Sequence, residues 1–208
     1  MFGLLCVSAI NGRVGGGGDL GTRRDVGNDT GDWLVGGREP RKVEIVEYQA
    51  EWVRRYELER QKIAAALPHA IAIEHVGSTS VPGLGAKPII DIQVEIKGLD
   101  ESRDIPPLGA AGYLLRVREP NHLMVRTPAL DVHVHLWADA DDLDRHLLFR
   151  DWLRENAEDR NTYEAAKREL ATHEWADTND YADAKSDVII EITARARAWA
   201  NDTGWSRH

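Results

Sequence analysis

The run IIDIQVEI at positions 89–96 limits this chain to folds that contain a half-buried β-strand. Its residues alternate between polar and apolar, and successive side chains of a strand point to opposite faces of a sheet. Asp91, Gln93 and Glu95 therefore share one face, and the intervening apolar residues pack on the other. A carboxylate on a strand suits Mg²⁺, but the neutral amide at Gln93 weakens such a site. Glu95 lies about 13 Å from Asp91 at the usual strand rise, which is too far for both to bind one ion.

A second alternating run, ALDVHVHLW at 129–137, predicts another strand. Asp131, His133 and His135 share one of its faces. Such a face suits a metal ion or a phosphate, and imidazole favours transition metals over magnesium. An edge strand that turns its polar residues to solvent has the same pattern, so both interpretations stay open.

Helical spacing and turn residues divide the rest of the chain into further elements. A helix is predicted from position 50 to about 67, and a strand is predicted over 70–76. Two short strands around Pro120 and Asn121 predict a hairpin, and three helices are expected near 142–157, 159–173 and 180–200. This order predicts an α+β fold, in which a small mixed sheet packs with helices and a helical C-terminal part follows.

The N-terminal residues differ in composition from the remainder. Positions 1–40 hold 11 of the 18 glycines and show little hydrophobic periodicity. Such a segment buries too little apolar surface to offset its ordering, so we interpret 1–42 as a flexible Gly-rich extension. A start codon assigned too far upstream is the alternative. We expect one domain over 43–202, with a sheet part at about 43–137 and a helical part at about 142–202.

Charge and cysteine content exclude several classes of protein. The chain has 208 residues, a formal net charge of −9 and a pI near 5.4. An acidic protein is a poor match for non-specific nucleic-acid binding or for anionic membrane surfaces. The single cysteine excludes an internal disulfide and any multi-cysteine metal cluster. No apolar run is long enough to span a bilayer, so we expect a cytoplasmic protein with neither nucleic acid nor membrane as partner.

A short loop after the strand at 70–76 is the best candidate for binding phosphate. Gly77 allows a tight turn, and the hydroxyl residues that follow it could cap a short helix whose N–H groups attract an anion: Ser78, Thr79 and Ser80. The loop is not a Walker A sequence, because Lys87 has the wrong spacing from the glycines. A plain strand-to-helix connection would have the same residues.

The predicted C-terminal helices carry cations that a phosphorylated ligand would attract. Arg150 lies in FRDWLR, and Lys167 and Lys185 each share a helix face with a tyrosine. Ordinary solvated helix faces explain the same residues. We treat these three cations, together with Lys87, as candidate nucleotide contacts.

The segment HVGSTSVPGLGAKPIIDI, which begins at His75, resembles the signature of the GrpB (UPF0157) family. VHVHLW and the C-terminal helical segments resemble the same family, so the likeness covers about 43–200. GrpB proteins are placed in the nucleotidyltransferase-fold superfamily, and this placement implies a nucleotidyltransferase-like sheet with a nucleotide bound at the turn.

The resemblance also implies roles for individual residues. The turn that includes His75 and Gly77 would hold the nucleotide triphosphate, and Asp91 would hold Mg²⁺. Gln93 replaces the second acid of the metal site, and the third acid corresponds to Asp131 or to the neighbouring histidines.

Three functions are compatible with these residues. The first is transfer of a nucleoside monophosphate from a nucleoside triphosphate to an unidentified acceptor, with Mg²⁺ as cofactor and with Asp91 and Asp131 as catalytic carboxylates. The second is a non-catalytic module that binds a nucleotide or a CoA-related molecule. The third is a metal-dependent hydrolase that uses His133 and His135, with zinc as the less favoured cofactor. The expected ligand is a nucleotide or another phosphorylated small molecule.

Overall fold

The computed structural model describes residues 33–36, 42–138, 140–175 and 178–207. Apart from positions 33–36 and 42, the predicted N-terminal extension lies outside the described residues. The elements follow in the order α1 (Glu51–Ala66), β1 (Ala72–Val76), a 3-10 helix (Ser78–Ser80), β2 (Ile90–Glu95), α2 (Glu101–Ala110), β3 (Leu114–Glu119), β4 (His122–Arg126), β5 (Val132–Trp137), α3 (Ala140–Glu155), α4 (Ala157–Leu170), α5 (Thr178–Asp183) and α6 (Ser186–Thr203).

The five strands form one mixed sheet in the order β1-β2-β5-β4-β3. β2 runs parallel to β5, and the other neighbouring pairs are antiparallel. The parallel register sets Asp91 beside His133 and Gln93 beside His135. The predicted α+β fold is confirmed, with a mixed sheet, helices packed on it and a helical C-terminal part. The described residues 33–36 add a short bridge to β3 at the edge of the sheet, between Leu34 and Val117.

The apolar face of the sheet packs against α1 and α2 to form the main core. Alternation in β2 and β5 turns every second side chain to this face, as the sequence predicts. Each large side chain buried there stabilises the fold by about 1.5–3 kcal/mol. The core is built from Ile90, Ile92, Val94, Val132, Val134 and Leu136 of the sheet, packed against Trp52, Ile63 and Leu108 of the two helices.

The C-terminal helices cover the other, polar face of the sheet. Leu143 and Leu147 of α3 pack on Val76 at the end of β1. Two arginines bind acids of the sheet: Arg150 donates to Glu74 at 2.9 Å, and Arg207 donates to Glu95 at 2.6 Å. Polar side chains of β2 and β5 are therefore enclosed between the sheet and the helices.

The helix predicted over 180–200 is divided in the structure. A turn at Ala184 and Lys185 separates α5 from α6, and the Lys185 side chain is only 3% exposed. Among the described residues, no helix is both long enough and apolar enough to cross a membrane.

Candidate functional site

The turn after β1 is built against the carboxylate of Asp91. Gly77 has φ +70° and ψ −175°, a conformation that residues with a side chain avoid. A Cβ atom on Gly77 would lie 2.7 Å from Oδ2 of Asp91, a separation that real Cβ atoms essentially never show. Both the backbone and the available space therefore require glycine. The predicted turn and the predicted acid are in direct contact.

The hydroxyl residues of the turn differ in what they bind. Thr79 donates to the carbonyl of Ile89 at 3.1 Å, and its oxygen lies 3.1 Å from Nε2 of His75, which can donate to it. Ser80 donates to a carbonyl within the turn at 2.6 Å. Both residues are buried, whereas Ser78 is partly exposed. Thr79 and Ser80 thus hold the shape of the turn, and Ser78 is the hydroxyl residue of the turn that a ligand can reach most easily.

His75 supports the turn as a neutral ring. Burial lowers the pKa of His75 to about 4, although the nearby Asp91 carboxylate acts in the opposite direction. The ring stacks on Tyr56, with centroids 4.6 Å apart and planes at 9°. A neutral, stacked imidazole hydrogen-bonded to Thr79 gives a phosphate no positive charge, so its contribution is to the geometry of the turn.

One carboxylate and two imidazoles meet on the polar face of the sheet. Oδ1 of Asp91 lies 3.4 Å from Nδ1 of His133, and His135 follows two positions later on the same strand. One potential ligand atom from each residue lies within 4.8 Å of the others, and no other such group occurs among the described residues. We call Asp91, His133 and His135 the metal-binding trio, because their ligand atoms could hold one metal ion. Two imidazoles and one carboxylate fit a divalent transition metal better than Mg²⁺.

The protonation state of His135 suits a metal ligand. The ring is buried, and this burial lowers its pKa well below the usual value. Repulsion from His122, His133 and His146 acts in the same direction. Neutral imidazole is the form that binds metals, so His135 does not have to lose a charge first.

Gln93 lies beneath α3. The side chain is fully buried, and its Nε2 atom is 2.5 Å from Nδ1 of His146. Oε1 of Gln93 is buried without a hydrogen-bond partner in the described part of the protein. A carboxylate at position 93 would be a buried charge beneath α3, and burying a charge is costly unless it is paired. The neutral amide is therefore explained by the packing of α3 on the sheet.

Asp131 has partners outside the metal-binding trio. Its Oδ2 atom accepts from Arg55 of α1 at 2.7 Å, and its Oδ1 atom accepts from the hydroxyl of Thr127 at 2.6 Å. Asp131 immediately precedes β5, and its carboxylate is not among the donor atoms that converge with Asp91. The two acids predicted to be catalytic are thus held by different sets of side chains.

Lys167 of α4 reaches the turn directly. Its ammonium group donates to Oγ of Ser78 at 3.0 Å and also to the carbonyl of Gly85. Lys167 is 3% exposed, and burial lowers its pKa to about 7. Repulsion from Lys185 and Lys87 contributes to this shift.

Lys185 and Lys87 both lie close to the ring of Tyr181. Their ammonium nitrogens are 4.7 Å and 5.2 Å from the centre of the Tyr181 ring. With Lys167, they form what we call the lysine cluster. An anion bound among these three cations would relieve the repulsion that Lys185 and Lys87 exert on Lys167. The hydrogen bond from Lys167 to Ser78 connects the cluster to the turn.

Arg150 is held mainly by acids of the protein itself. It donates to Glu74 at 2.9 Å, to Asp151 at 2.7 Å and to the carbonyl of His75 at 3.0 Å. The residue therefore ties α3 to β1, and two carboxylates balance its charge.

The turn and the metal-binding trio lie within a region that known proteins share. A family model described as GrpB protein matches residues 42–195. The chain belongs to the GrpB family. A UPF0157 protein of Streptomyces coelicolor is 49% identical over 167 residues, which cover 79% of this chain and 90% of that protein. A UPF0157 protein of Halalkalibacterium halodurans is 44% identical over 162 residues, covering 75% of this chain and 83% of that protein. The crystal structure of GrpB from Enterococcus faecalis has 32% sequence identity and a TM-score of 0.66, covering 75% of this chain and 99% of that chain.

This GrpB-family chain also has a pocket that starts at the turn and runs between α3, α4 and α6. Most of its surface is apolar, and its polar lining residues are two arginines, a histidine and three hydroxyl residues. Ser78 lines the pocket and also accepts a hydrogen bond from Lys167, so the pocket and the lysine cluster meet at this residue. The lining residues are Gly77, Ser78, Val81, Arg145, His146, Phe149, Arg150, Leu153, Tyr163, Ile189 and Thr193.

Several residues around the metal-binding trio were missed by sequence reasoning. Arg126 stands opposite His133 in the antiparallel pair of β4 and β5, and it places a cation on the same face. His122 contacts His135, and His146 contacts Gln93. His122 and Arg126 are four positions apart in one strand, so the sequence puts both on the same face. Neither segment, however, shows that β4 pairs with β5.

Proposed function

We propose that this GrpB-family protein binds a nucleoside triphosphate at the Gly77–Ser78 turn and transfers its nucleoside monophosphate to an acceptor. The observation that carries this proposal is the contact between Gly77 and Asp91, since a phosphate-sized turn and a carboxylate suited to a metal ion meet at one point. The arrangement is the one expected of a nucleotidyltransferase-like site, in which the turn and the acid act on the same phosphates.

A divalent ion held by the metal-binding trio would provide positive charge beside the bound phosphates. Asp91 is partly exposed, with 21% of its side-chain surface accessible, so a ligand can reach the carboxylate. The sequence pattern predicts Mg²⁺, whereas the two imidazoles favour a transition metal. Among these metals, Mn²⁺ shares the preference of Mg²⁺ for phosphate and carboxylate oxygens. We therefore expect Mn²⁺ to support nucleotide binding better than Mg²⁺.

The lysine cluster and the apolar pocket would bind the two ends of the nucleotide. Lys167, Lys185 and Lys87 suit the phosphates, and the pocket between the helices suits the base. In the reaction, an acceptor hydroxyl attacks the α-phosphorus and the bond to the leaving pyrophosphate breaks. The hydroxyl proton passes to solvent, so the products are the modified acceptor, pyrophosphate and a proton.

A second candidate is a non-catalytic nucleotide-binding module. The observation that favours it is the single carboxylate of the metal-binding trio: Gln93 is an amide under α3, and Asp131 is paired with Arg55. Such a module would bind the same ligand through the same turn and lysines without turning it over.

Calorimetric titration of ATP and CTP, with Mn²⁺, with Mg²⁺ and without metal, tests both candidates. We expect Mn²⁺-dependent binding that Asp91→Asn abolishes. Lys87→Met should weaken the binding about tenfold, which corresponds to about 1.4 kcal/mol. Lys97→Met, which removes an exposed lysine that is not part of the cluster, is the matched control and should bind normally.

The fate of an NTP labelled at the α-phosphate then separates the functions. A labelled acceptor and free pyrophosphate support nucleotidyl transfer, and unchanged NTP supports the binding module. Release of free nucleoside monophosphate instead points to a metal-dependent hydrolase that uses His133 and His135. The absence of any nucleotide binding with every metal would contradict both nucleotide candidates.

A further inference from the structure

A chain of three side chains leads from the edge of the sheet to the metal-binding trio. Glu119 ends β3 and His122 begins β4, with Oε2 of Glu119 2.7 Å from Nδ1 of His122. The other ring nitrogen of His122, Nε2, lies 3.0 Å from Nδ1 of His135. The two rings are almost parallel, at 6°, which suits a hydrogen bond that lies in the plane of both.

When both imidazole rings are neutral, the position of each proton follows from the carboxylate at the end of this chain. An ionised carboxylate can only accept hydrogen bonds, so Nδ1 of His122 carries a proton. In a neutral His122 ring, Nε2 then has a lone pair and accepts the proton on Nδ1 of His135. When neutral His135 carries its proton on Nδ1, its Nε2 atom has no proton and keeps a lone pair. Since Nδ1 is already bound to His122, Nε2 is the nitrogen that remains for a metal ion.

We propose that Glu119 and His122 are positioning residues that fix His135 in the tautomer that binds metal, before any ion arrives. The inference rests on the proposed metal site and adds two residues that act on it from the neighbouring strand, β4, and from the strand beyond it, β3. Metal-binding histidines commonly use their second nitrogen in this way, and loss of the partner typically weakens metal affinity about 10- to 100-fold.

The surrounding structure holds this chain in place. Glu119 and His122 are paired in register across a two-residue turn, in which Asn121 takes a left-handed conformation with φ 61°. The His122 ring stacks on Trp137 with centroids 3.9 Å apart and planes at 14°. His122 is 1% exposed, so water does not compete for its ring nitrogens. A rigid turn, a stacked ring and exclusion of water together fix the orientation that this hydrogen-bonded chain requires.

The native, metal-free protein provides the first test. Two-bond ¹H–¹⁵N correlation spectra of protein labelled with ¹⁵N-histidine report which nitrogen of each ring is protonated. We expect His135 to be protonated at Nδ1 and bare at Nε2, with its signals assigned by their loss in His135→Gln. A His135 ring protonated at Nε2 would overturn the proposal.

Variants then test what sets the tautomer. An amide can donate as well as accept, so Glu119→Gln should give His135 a mixture of both tautomers and weaken Zn²⁺ binding about tenfold. His122→Phe keeps an aromatic ring on Trp137 but removes both nitrogens, and we expect at least as large a loss. Glu57→Gln, which removes an exposed acid on α1, is the control and should change neither measurement.

The two measurements keep this proposal separate from the proposed function. The tautomer is measured without metal or nucleotide. If Nε2 of His135 is unprotonated in the native protein and becomes partly protonated in Glu119→Gln, the proposal is supported even if no nucleotide binds. Unchanged tautomer and unchanged Zn²⁺ affinity in both Glu119→Gln and His122→Phe would refute it, whatever the protein does with nucleotides.

Discussion

Replacing Gly77 with alanine should damage the stability of the fold and the metal site by two separable effects. The first is backbone strain, because an alanine at φ +70° costs about 1–3 kcal/mol of unfolding free energy. The second is steric. The new Cβ atom would lie 2.7 Å from Oδ2 of Asp91 and ordinary contact begins at 3.4 Å, so the carboxylate has to move by 3.4 − 2.7 = 0.7 Å. A displacement of about 0.7 Å at a ligand atom is enough to weaken Zn²⁺ or Mn²⁺ binding by about 10- to 100-fold.

Gly98 provides a control for the strain. It has φ +64°, and a Cβ atom built on it meets nothing within 4 Å. Gly98→Ala should therefore lose about 1–2 kcal/mol in urea unfolding followed by tryptophan fluorescence and keep native metal affinity. Gly77→Ala should lose at least as much stability and, in the same metal titration, most of its affinity. Equal metal affinities for the two variants would refute the reasoning that the turn positions Asp91.

Three further predictions concern residues around the turn and the sheet. Because burial lowers the pKa of His75 to about 4, the fold should be most stable above pH 6.5 and lose up to about 3 kcal/mol of unfolding free energy as the pH falls to 4. His75→Gln should reduce this pH dependence in urea unfolding measured across that range. Asp131→Asn should leave Zn²⁺ affinity unchanged and lower the unfolding free energy by no more than about 1 kcal/mol, through loss of the partly exposed pair with Arg55; a large loss of Zn²⁺ binding would return Asp131 to the metal site. Gln93→Asp should lower the melting temperature, since it buries a charge beside His146 at a cost of about 1–3 kcal/mol; a new Mg²⁺ site in this variant would contradict the placement of Gln93 under α3.

The alternation of polar and apolar residues was the sequence feature that predicted most of the sheet and of the candidate site. Successive side chains of a strand point to opposite faces whatever the rest of the protein does, so the faces of β2 and β5 could be assigned from the local pattern. The same rule put Asp91, His133 and His135 on the polar side, and the parallel register then brought them together. Gly77 was predicted for its backbone freedom, whereas its contact with Asp91 depends on tertiary packing.

Pattern reasoning was less informative where an element ends or where distant strands pair. Asp131 fits the alternation of its segment, but β5 begins one residue later, and Arg55 from α1 determines where its carboxylate lies. His122 and Glu119 become relevant only because β4 pairs with β5, a contact that no local pattern specifies. Lys185 was predicted within a single helix, and the turn that directs it inward interrupts a segment of uniformly helical composition.

The links between the C-terminal helices and the sheet make the two parts mutually dependent. Each part supplies charges that the other neutralises: Arg150 binds Glu74, and Arg207 binds Glu95. A chain cut after Trp137 would leave the polar face of its sheet without these partners and without the leucines of α3. The sheet and the helices should accordingly unfold in a single cooperative transition, and the smallest fragment able to form the metal-binding trio should include both.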